Sequence, residues 1–247
     1  MDISVIVTFH NEGLIAKWML DMFARTRNHA EQQGLRVETI CVLDSASEDT
    51  TRIVTNHDSL RATDTVIPVI NRDQAKSRNE GVRLAKGAYI AIVDGDDYYS
   101  EAWLTNAYGR AREMLDKGII HPEYIVSFGA VHSVMRVIDQ ERDHYPLASC
   151  LKIHPWVSTA FAPARIFRDI PYRARDAQAK FGYEDWHWNL ETLAAGYWHV
   201  TALGTALYYR RKAVSTLTQD VQHGVTIRPT KFFRDPAQWT KWAGVLR

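Results

Sequence analysis

The 247-residue chain lacks the features of a disulfide-bonded scaffold and of a membrane span. Its only cysteines, Cys41 and Cys150, exclude a disulfide framework and lie too far apart in sequence for a zinc knuckle or a CxxC pair. We interpret both as buried apolar residues in a reducing compartment. No stretch approaches the ~18 apolar residues of a membrane span, and no basic leader precedes the strand-like run after Met1. The sequence therefore predicts a soluble, cytoplasmic protein.

A strong net charge is also absent. The 30 Lys and Arg residues against 29 Asp and Glu give a formal charge of +1, so no global field would gather nucleic acid and we expect no such partner. A charged ligand must instead be bound by a local cluster. Hydrophobic residues make up 46% of the chain, which is enough for a sizeable core and excludes intrinsic disorder. The eight Trp exceed what such a core usually requires, and aromatic faces often line a binding cleft.

Short β-branched runs alternate with helical patterns over the first hundred residues. The pattern predicts strands at 4–9, 37–43, 65–70 and 88–93, and helices at 14–34, 49–57 and 74–86. Strands that are apolar on both faces and joined by helices predict an α/β fold, with a mostly parallel central sheet covered by helices on both faces.

The pattern is looser after Tyr98. It predicts helices at 101–117 and 185–197, strands at 124–128, 131–138, 198–203 and 206–209, and a long loop-rich region at 139–181. We expect a single domain composed of a nucleotide-binding half (1–100), a half that supplies the other substrate (101–230) and an amphipathic tail (231–247). The sequence carries no indication of oligomeric state.

Acidic residues follow three of the predicted parallel strands. Glu12 follows the first strand, Asp44 ends the second, and Asp94, Asp96 and Asp97 follow the fourth. The carboxyl ends of parallel strands share one edge of a sheet, where ligands bind, and unpaired carboxylates would repel one another there. A divalent cation would relieve the repulsion, and the hard oxygen ligands after the fourth strand suit Mg²⁺ or Mn²⁺. An ordinary acidic turn is the alternative.

Other polar residues near this edge have two interpretations each. Asp44 is placed either to accept a hydrogen bond from a nucleobase or ribose, or to help cap the helix that follows. Arg78, in the third predicted helix, either pairs with a diphosphate in bidentate fashion or lies exposed on a solvated face. Asn71 precedes that same helix.

The ordered motifs resemble those of family 2 glycosyltransferases with the GT-A fold. Residues 4–12 (SVIVTFHNE) resemble the opening strand and turn, 44–51 (DSASEDTT) the DSGSTDGT segment, 71–90 the ARNxG and AxGxYI stretch, and 94–97 (DGDD) the DxD motif. In the second half, 182–186 (GYEDW) resembles the GxED segment and 209–215 (YRRKAVS) the terminal YRxH segment. Each match alone is weak, whereas the ordered set is specific.

The resemblance implies an inverting, metal-dependent transfer of a sugar from a nucleotide-diphosphate sugar, with a UDP-sugar favoured. The implied acceptor is a bacterial surface polysaccharide or glycolipid. Asp94 and Asp96 would contact ribose and Mg²⁺ or Mn²⁺, with Asp97 completing the metal or the acceptor side. The implied donor-binding residues are Thr8, Phe9, Glu12, Asp44, Asn71, Arg78, Asp94 and Lys212. Lys212 stands where many relatives have His, and a protonated lysine neutralises phosphate but cannot ligate a cation.

By the same resemblance, Asp185 takes the proton from the acceptor hydroxyl, with Glu184 beside it. Asp185 opens a helix whose predicted buried stripe is Trp186, Leu190, Leu193 and Tyr197, so its carboxylate lies off the core-facing side. The helix N-terminus keeps this carboxylate ionised but weakens it as a base, so burial or Glu184 must raise its pKa. Complementing the helix dipole is the alternative role.

Aromatic residues of the second half suggest an acceptor surface and a membrane contact. His154, Trp156 and Trp188 would stack on an acceptor sugar and hydrogen-bond to it, with core packing as the alternative, which we prefer for Trp186. The tail places Phe232, Phe233, Pro236, Trp239, Trp242 and Leu246 at near-helical spacing among Lys231, Arg234, Lys241 and Arg247. It either lies on the inner face of a membrane that carries a lipid-linked acceptor, or packs on its own or a neighbouring domain.

Two other functions compete with this interpretation. A nucleotidyltransferase usually has a glycine-rich, basic phosphate loop after the first strand, whereas residues 8–13 contain one Gly and no Lys or Arg. A dehydrogenase is excluded because no GxGxxG follows any strand. A catalytically silent nucleotide-sugar or glycan-binding domain of a larger synthase stays open, although binding alone would not require Asp185 together with Asp94 and Asp96.

Overall fold

The computed structural model describes residues 1–213, 216–239 and 242–243. Its strands are β1 (Ile3–Phe9), β2 (Val37–Asp44), β3 (Thr65–Val69), β4 (Tyr89–Asp94), β5 (Tyr98–Tyr99), β6 (Gly118–Gly129), β7 (Ser133–Arg136), β8 (Tyr145–Pro146), β9 (Ala160–Pro163), β10 (Phe181–Gly182), β11 (Trp198–Arg211), β12 (Thr226–Ile227) and β13 (Trp242–Ala243). Its helices are α1 (Leu14–Gln32), α2 (Glu48–Thr55), α3 (Gln74–Leu84), α4 (Trp103–Glu113), α5 (Ala164–Asp169), α6 (Glu184–Ala194), α7 (Thr216–Gln222), α8 (Lys231–Arg234) and α9 (Pro236–Trp239), and a 3₁₀ helix covers Leu147–Leu151.

A nine-stranded sheet runs through the described residues in the order β3-β2-β1-β4-β9-β6-β11-β5, with β7 paired to β6 beside this path. Strands β1 to β4 are mutually parallel where they pair. Strand β9 runs antiparallel to both β4 and β6, and β6 is parallel to β11. The sheet therefore contains strands from both halves of the sequence, and the predicted mostly parallel α/β fold is confirmed.

The side chains of the central strands alternate between two cores, one on each face of the sheet. Val5 and Val7 belong to the same buried cluster as Met19 of α1 and Leu104 of α4. Ile6, between them in β1, belongs to the opposite cluster, which includes residues of α3 and α5. Successive residues of a strand point to opposite faces, so helices on both sides of the sheet explain why these strands are apolar on both faces.

The prediction that residues 139–181 are rich in loops is wrong at residues 160–163, which form a central strand. Ala160–Pro163 forms β9, a fully buried strand that joins β4 to β6. This segment has no β-branched residue and no alternation of polar and apolar side chains, so it lacks both sequence signals of a strand. The two strands predicted at 198–203 and 206–209 are one strand, β11, with a register shift between Ala202 and Ala206.

The described part of the C-terminal tail packs on the rest of the chain. Phe232 of α8 is fully buried, and the indole N–H of Trp239 donates to its carbonyl at 2.8 Å. These contacts favour packing on its own domain over membrane contact for residues 231–239. Lys241, the side chain of Trp242, Leu246 and Arg247 lie outside the described residues.

Cys41 and Cys150 are buried and form no disulfide, in agreement with the sequence. Burial raises the pKa of each thiol to about 12, so neither is a reactive thiolate at neutral pH. Within the ranges that the structure describes, no helix is both long and apolar enough to cross a membrane.

Candidate active site

The carboxyl ends of β1 and β4 lie side by side at one edge of the sheet. Thr8 pairs in register with Asp94, and the backbone N–H of Gly95 donates to the carbonyl of Thr8 at 3.1 Å. A Cβ at Gly95 would lie 2.4 Å from the Phe9 ring, so the turn after β4 packs directly on β1. Phe9 is itself 1% exposed, so its ring supports this turn and offers no surface to a ligand.

Asp44 at the end of β2 organises the loop that leads into α3. Its Oδ1 accepts from the backbone N–H groups of Asn71 at 2.9 Å and Arg72 at 2.8 Å, and its Oδ2 accepts from that of Asp73 at 3.0 Å and from the Ser77 hydroxyl at 2.9 Å. Burial would raise the pKa of Asp44, but these hydrogen bonds outweigh burial and lower it. A ligand would have to displace one of these bonds to use this carboxylate.

Arg78 connects the two halves of the sequence. Its Nη2 lies 3.0 Å from Asp94 Oδ1, and its Nη1 lies 3.0 Å from Glu184 Oε1. The side chain is 1% exposed, and its guanidinium lies 5.3 Å from the ring centroid of Tyr172. Neither interpretation from the sequence describes this arginine, because it is neither exposed nor free for a diphosphate. Its two charged hydrogen bonds instead hold the end of β4 beside the start of α6.

Asp94 has a partner on each of its carboxylate oxygens. Besides Arg78, its Oδ1 accepts from Gln74 Nε2 at 2.9 Å, and its Oδ2 accepts from the Ser158 hydroxyl at 2.7 Å. Burial alone would raise the pKa of Asp94, but Arg78, Ser158 and Gln74 together lower it. Asp94 is therefore an ionised acid that the surrounding side chains already satisfy.

Asp96 faces basic residues from the end of β11. Its Oδ2 lies 2.7 Å from Lys212 Nζ and 3.7 Å from Arg210 Nη1, and its side chain is 16% exposed. Glu12 interacts with the same charges. Its pKa is raised, mainly by burial and also by the charge of Asp96. The hydrogen bond from the His10 N–H and the Lys212 ammonium group lower it by less. The exposed side of the site thus carries both acids and bases.

Asp97 points into the protein. It is 1% exposed, its Oδ1 accepts from the backbone N–H of Arg210 at 2.8 Å, and its Oδ2 has no partner among the described residues. Burial raises the pKa of Asp97 well above its usual value, and the charges of Asp96 and Asp94 raise it further. Asp97 therefore anchors β11 rather than offering a solvent-facing ligand.

These acids do not form the predicted set of metal ligands. No three His, Cys, Asp or Glu side chains within the described ranges are grouped closely enough to hold a metal ion. Asp94 is satisfied by other side chains, Asp97 is enclosed, and Asp96 already contacts an ammonium group. A site made of Asp94, Asp96 and Asp97, as inferred from the sequence, does not fit this arrangement.

Glu184 and Asp185 begin α6 after Tyr183, whose backbone is left-handed with φ 54°. Glu184 is engaged by Arg78, whereas Asp185 Oδ1 accepts from the backbone N–H of Trp186 at 2.8 Å. Burial raises the pKa of both carboxyls, and Asp185 raises that of Glu184 further. Asp185 Oδ2 accepts no hydrogen bond from any described residue, and His154 Nδ1 lies 3.9 Å from it.

The acceptor assignment does not hold for two of its three residues. Trp156 and Trp188 are 2% and 1% exposed, and their indole N–H groups donate to the carbonyls of Ile138 and Ile170. Neither ring has a face for a sugar. A partly exposed pair lies beside Asp185 instead: His154 stacks on Trp186, with ring centroids 5.8 Å apart and planes at 9°.

Sequence reasoning missed Gln74, Ser158 and Arg210. Gln74 and Ser158 hold Asp94, and Arg210 contacts Asp96 and Asp97. Arg210 lies within residues 209–215, the segment that resembles the YRxH motif, so this motif could have identified it as a site residue. Ser158 precedes β9 in a region read as loop, and no local pattern distinguishes it.

Residues 4–162, well over half of the chain, match the family model described as glycosyl transferase family 2. A 100-residue segment is 31% identical to the uncharacterized glycosyltransferase EpsJ of Bacillus subtilis (strain 168), covering 40% of this chain and 27% of that relative. A 115-residue segment is 28% identical to the glycosyltransferase GlyG of Streptococcus pneumoniae serotype 4 (strain ATCC BAA-334 / TIGR4), covering 45% and 35%.

The fold is similar to crystal structures of S. aureus TarS 1-349. The complex with UDP-GlcNAc gives a TM-score of 0.67 at 17% identity and covers 88% of this chain and 61% of that one. The complex with UDP gives 0.63 at 17% identity and covers 90% and 63%. This likeness confirms the GT-A fold. The chain spans less than two thirds of the TarS fragment, and its matched segments span about a third or less of the curated relatives.

Proposed function

The chain belongs to glycosyl transferase family 2, and from this premise we propose that it transfers a sugar from a nucleoside diphosphate sugar to an acceptor hydroxyl, with inversion at the anomeric carbon. The observation that carries the proposal is the bridge that Arg78 makes between Asp94 and Glu184. It joins the edge of the sheet where ligands bind in α/β folds to the helix that carries Asp185. UDP-GlcNAc and UDP in the TarS complexes support a UDP-sugar as donor.

On the donor side, we propose that most of the acidic residues hold the backbone around the nucleotide in place. Asp44 fixes the backbone of residues 71–73 through three N–H groups, so it positions the loop that borders the nucleoside. Asp94, held by Arg78 and Ser158, keeps the turn after β4 in place. Lys212 and Arg210 lie on the exposed side of Asp96 and face the diphosphate.

On the acceptor side, Asp185 is the general base. Its Oδ2 takes the proton of the acceptor hydroxyl as that oxygen bonds to the anomeric carbon, while the bond from this carbon to the diphosphate oxygen breaks and leaves its electron pair on the diphosphate. Attack from the face opposite the leaving group inverts the configuration. Burial raises the pKa of Asp185, which makes it a stronger base than an ordinary carboxylate. Glu184 is a positioning residue because Arg78 engages it.

The proposed acceptor class is a surface polysaccharide or glycolipid, on family membership alone. Trp186 is half-buried and stacks one face on His154, and we propose its exposed part as the aromatic surface on which the acceptor sugar packs. Burial lowers the pKa of His154 to about 3, so this imidazole is neutral and adds no charge beside the base. No step of the proposal passes through a metal ion, because the carboxylates present do not fit one.

The proposal is tested by release of nucleoside diphosphate from a panel of nucleotide sugars, with and without simple glycoside acceptors. We expect turnover by the wild type and a loss of about 100-fold or more in Asp185→Asn, since general bases contribute 10²–10⁴-fold. Nucleotide binding, measured by the rise in melting temperature, should be retained in this variant. Asp49→Asn is the matched control, because Asp49 is 76% exposed on α2.

Three outcomes would contradict the proposal. Nucleotide binding without any turnover in the wild type would favour the silent binding domain of a larger synthase. Full turnover by Asp185→Asn would move the base to another residue. A product with retained anomeric configuration, determined by NMR, would exclude the single displacement described above.

A further inference from the structure

We propose that the ammonium group of Lys212, together with the guanidinium of Arg210, does at Asp96 what a divalent cation would do, so that this protein binds its donor without a metal. The inference deepens the proposed function and rests on it, since it takes the donor to be a nucleoside diphosphate sugar. The carboxylates at the end of β4 do not fit the metal site that the family resemblance implies.

The contact at Asp96 is the first observation. Lys212 Nζ lies 2.7 Å from Asp96 Oδ2, a charge-assisted hydrogen bond, and Arg210 Nη1 lies 3.7 Å from the same oxygen. A cation bound through this oxygen would have to displace the ammonium group. The two basic groups together carry a charge of +2, equal to that of Mg²⁺ or Mn²⁺. Equal formal charge is the basis on which we expect them to take the place of the ion beside a diphosphate.

The second observation concerns the neighbouring acids. Asp94 receives hydrogen bonds from Arg78, Gln74 and Ser158. Asp97 is 1% exposed: its Oδ1 accepts from the backbone of Arg210, and its Oδ2, which has no partner among the described residues, is enclosed in the protein. Magnesium in phosphate-binding sites is usually held by one or two carboxylates besides the phosphates. Here Asp94 and Asp96, whose side chains are 15% and 16% exposed, are both already paired.

The third observation concerns how the basic residues are held. Arg210 pairs with Phe128 in the register of β11 against β6, and its backbone N–H is fixed by Asp97. Lys212 follows directly after the end of β11. Its side chain is 42% exposed and that of Arg210 is 32% exposed. The backbone is thus fixed by the sheet while both charged groups remain accessible to a ligand from solvent.

This arrangement supplies what the departing group needs. When the bond between the anomeric carbon and the diphosphate oxygen breaks, the diphosphate keeps the electron pair and gains one negative charge. An ammonium group has three N–H donors and no acceptor, so Lys212 can donate to phosphate oxygens where that charge develops. Stabilising charge that appears in the transition state is the main way in which such groups accelerate a reaction.

The test is nucleotide binding to the whole chain, measured by isothermal titration calorimetry in EDTA and in Mn²⁺. The probe is whichever of UDP, GDP, ADP and CDP gives the largest rise in melting temperature. We expect the wild-type Kd to change less than about threefold between EDTA and Mn²⁺. In Lys212→Met we expect the Kd in EDTA to rise about 10- to 100-fold, the usual effect of losing a hydrogen bond to a charged group.

Two further variants separate charge from structure. Lys212→Arg retains the charge and should recover most of the affinity in EDTA. Lys17→Met removes another lysine that is 2.7 Å from an aspartate, Asp21, on the exposed face of α1, and should leave the Kd unchanged. Melting temperatures of all variants establish that they are folded.

The inference is overturned if wild-type binding weakens more than about tenfold in EDTA and returns with Mn²⁺, or if Lys212→Met binds as tightly as the wild type in EDTA. In either case the donor site itself survives, so the proposed function stands. If no nucleotide binds in EDTA or in Mn²⁺, the donor site and this inference fail together.

Discussion

Replacing Arg78 tests whether one buried cation holds the two halves of the active site together. Arg78→Met keeps the length of the side chain but leaves Asp94 and Glu184 without their shared partner. Each lies 3.0 Å from the guanidinium, and their side chains are 15% and 12% exposed. Removing one partner of a buried ion pair costs about 3–5 kcal/mol, because the remaining charge is left uncompensated. We expect a loss in this range in the free energy of unfolding at neutral pH.

The pH dependence of the free energy of unfolding provides a second, independent test of this prediction. Without Arg78, burial raises the pKa of both carboxyls above their unfolded-state values. The folded variant then binds protons that the unfolded chain has released, so its stability falls as pH rises through the raised pKa values. In the wild type, Asp94 and Glu184 change stability with pH in opposite directions, because the pKa of Asp94 is lowered and that of Glu184 is raised. The difference between wild type and variant should therefore widen from about pH 5 to about pH 8.

Urea denaturation followed by circular dichroism measures both quantities. Arg52→Met is the control, because Arg52 pairs with Asp49 at 2.8 Å but the two side chains are 67% and 76% exposed. Such a pair contributes about 0.5 kcal/mol or less. A loss below about 1 kcal/mol for Arg78→Met, or a difference that narrows as pH rises, would refute the reasoning.

Three further predictions concern the surroundings of the site. Gly95→Ala places a Cβ 2.4 Å from the Phe9 ring and 2.7 Å from the Thr8 carbonyl, so we expect the free energy of unfolding, measured in urea, to fall by about 1–3 kcal/mol. Gly109→Ala in α4 is the control: a Cβ there meets no atom within 4 Å, and the variant should be as stable as the wild type or more so. Asp44→Asn exchanges charge-assisted acceptors for a misplaced amide and should cost about 2–3 kcal/mol, with unchanged stability in Asp49→Asn as the control. Because burial raises the pKa of Asp185, kcat should fall as pH falls through a value above that of an ordinary carboxyl. A pH–rate profile whose acid limb lies at or below the ordinary carboxyl value would contradict this prediction.

The first half of the fold could be predicted because its signals are local. The strands from β1 to β4 are rich in apolar and β-branched residues, and the helices between them show apolar residues at helical spacing, so the predicted bounds differ from the observed ones by at most two residues. Strand β9 could not be predicted in this way. Ala160–Pro163 is recognisable as a strand only from its partners β4 and β6, and neither partner is close in sequence.

Helix α6 shows why the acceptor residues were misassigned. A single buried stripe assumes that a helix contacts one core. Leu190 and Leu193 belong to the core on one face of the sheet, whereas Trp188 belongs to the other. A helix buried on two sides leaves only a narrow exposed strip, and its sequence period does not say which aromatic residue lies there. Trp186 packs partly buried against the first of these cores, as the sequence pattern predicted, and it lies beside Asp185.

The acids of the site were predicted because the topology of a parallel sheet brings strand ends together. Their partners were not, because Arg78 and Glu184 are 106 positions apart and no periodic signal relates them. The same distance explains the error about Arg78. An arginine in the middle of a polar helix is expected to be exposed unless a distant acid is known to meet it.

The pairing of charges determines which acid remains free to act as a base. Arg78 satisfies Asp94 and Glu184, and Lys212 lies on Asp96. On the side of the site next to α6, this leaves Asp185 as the carboxylate that has no cation within hydrogen-bond distance among the described residues. A cation at that position would lower its pKa and weaken it as a base. In the proposed mechanism, Arg78 engages Glu184 and leaves Asp185 unpaired, which favours Asp185 over Glu184 as the proton acceptor. The charge of Arg78 lowers the pKa of Asp185, but burial outweighs it and the pKa is raised.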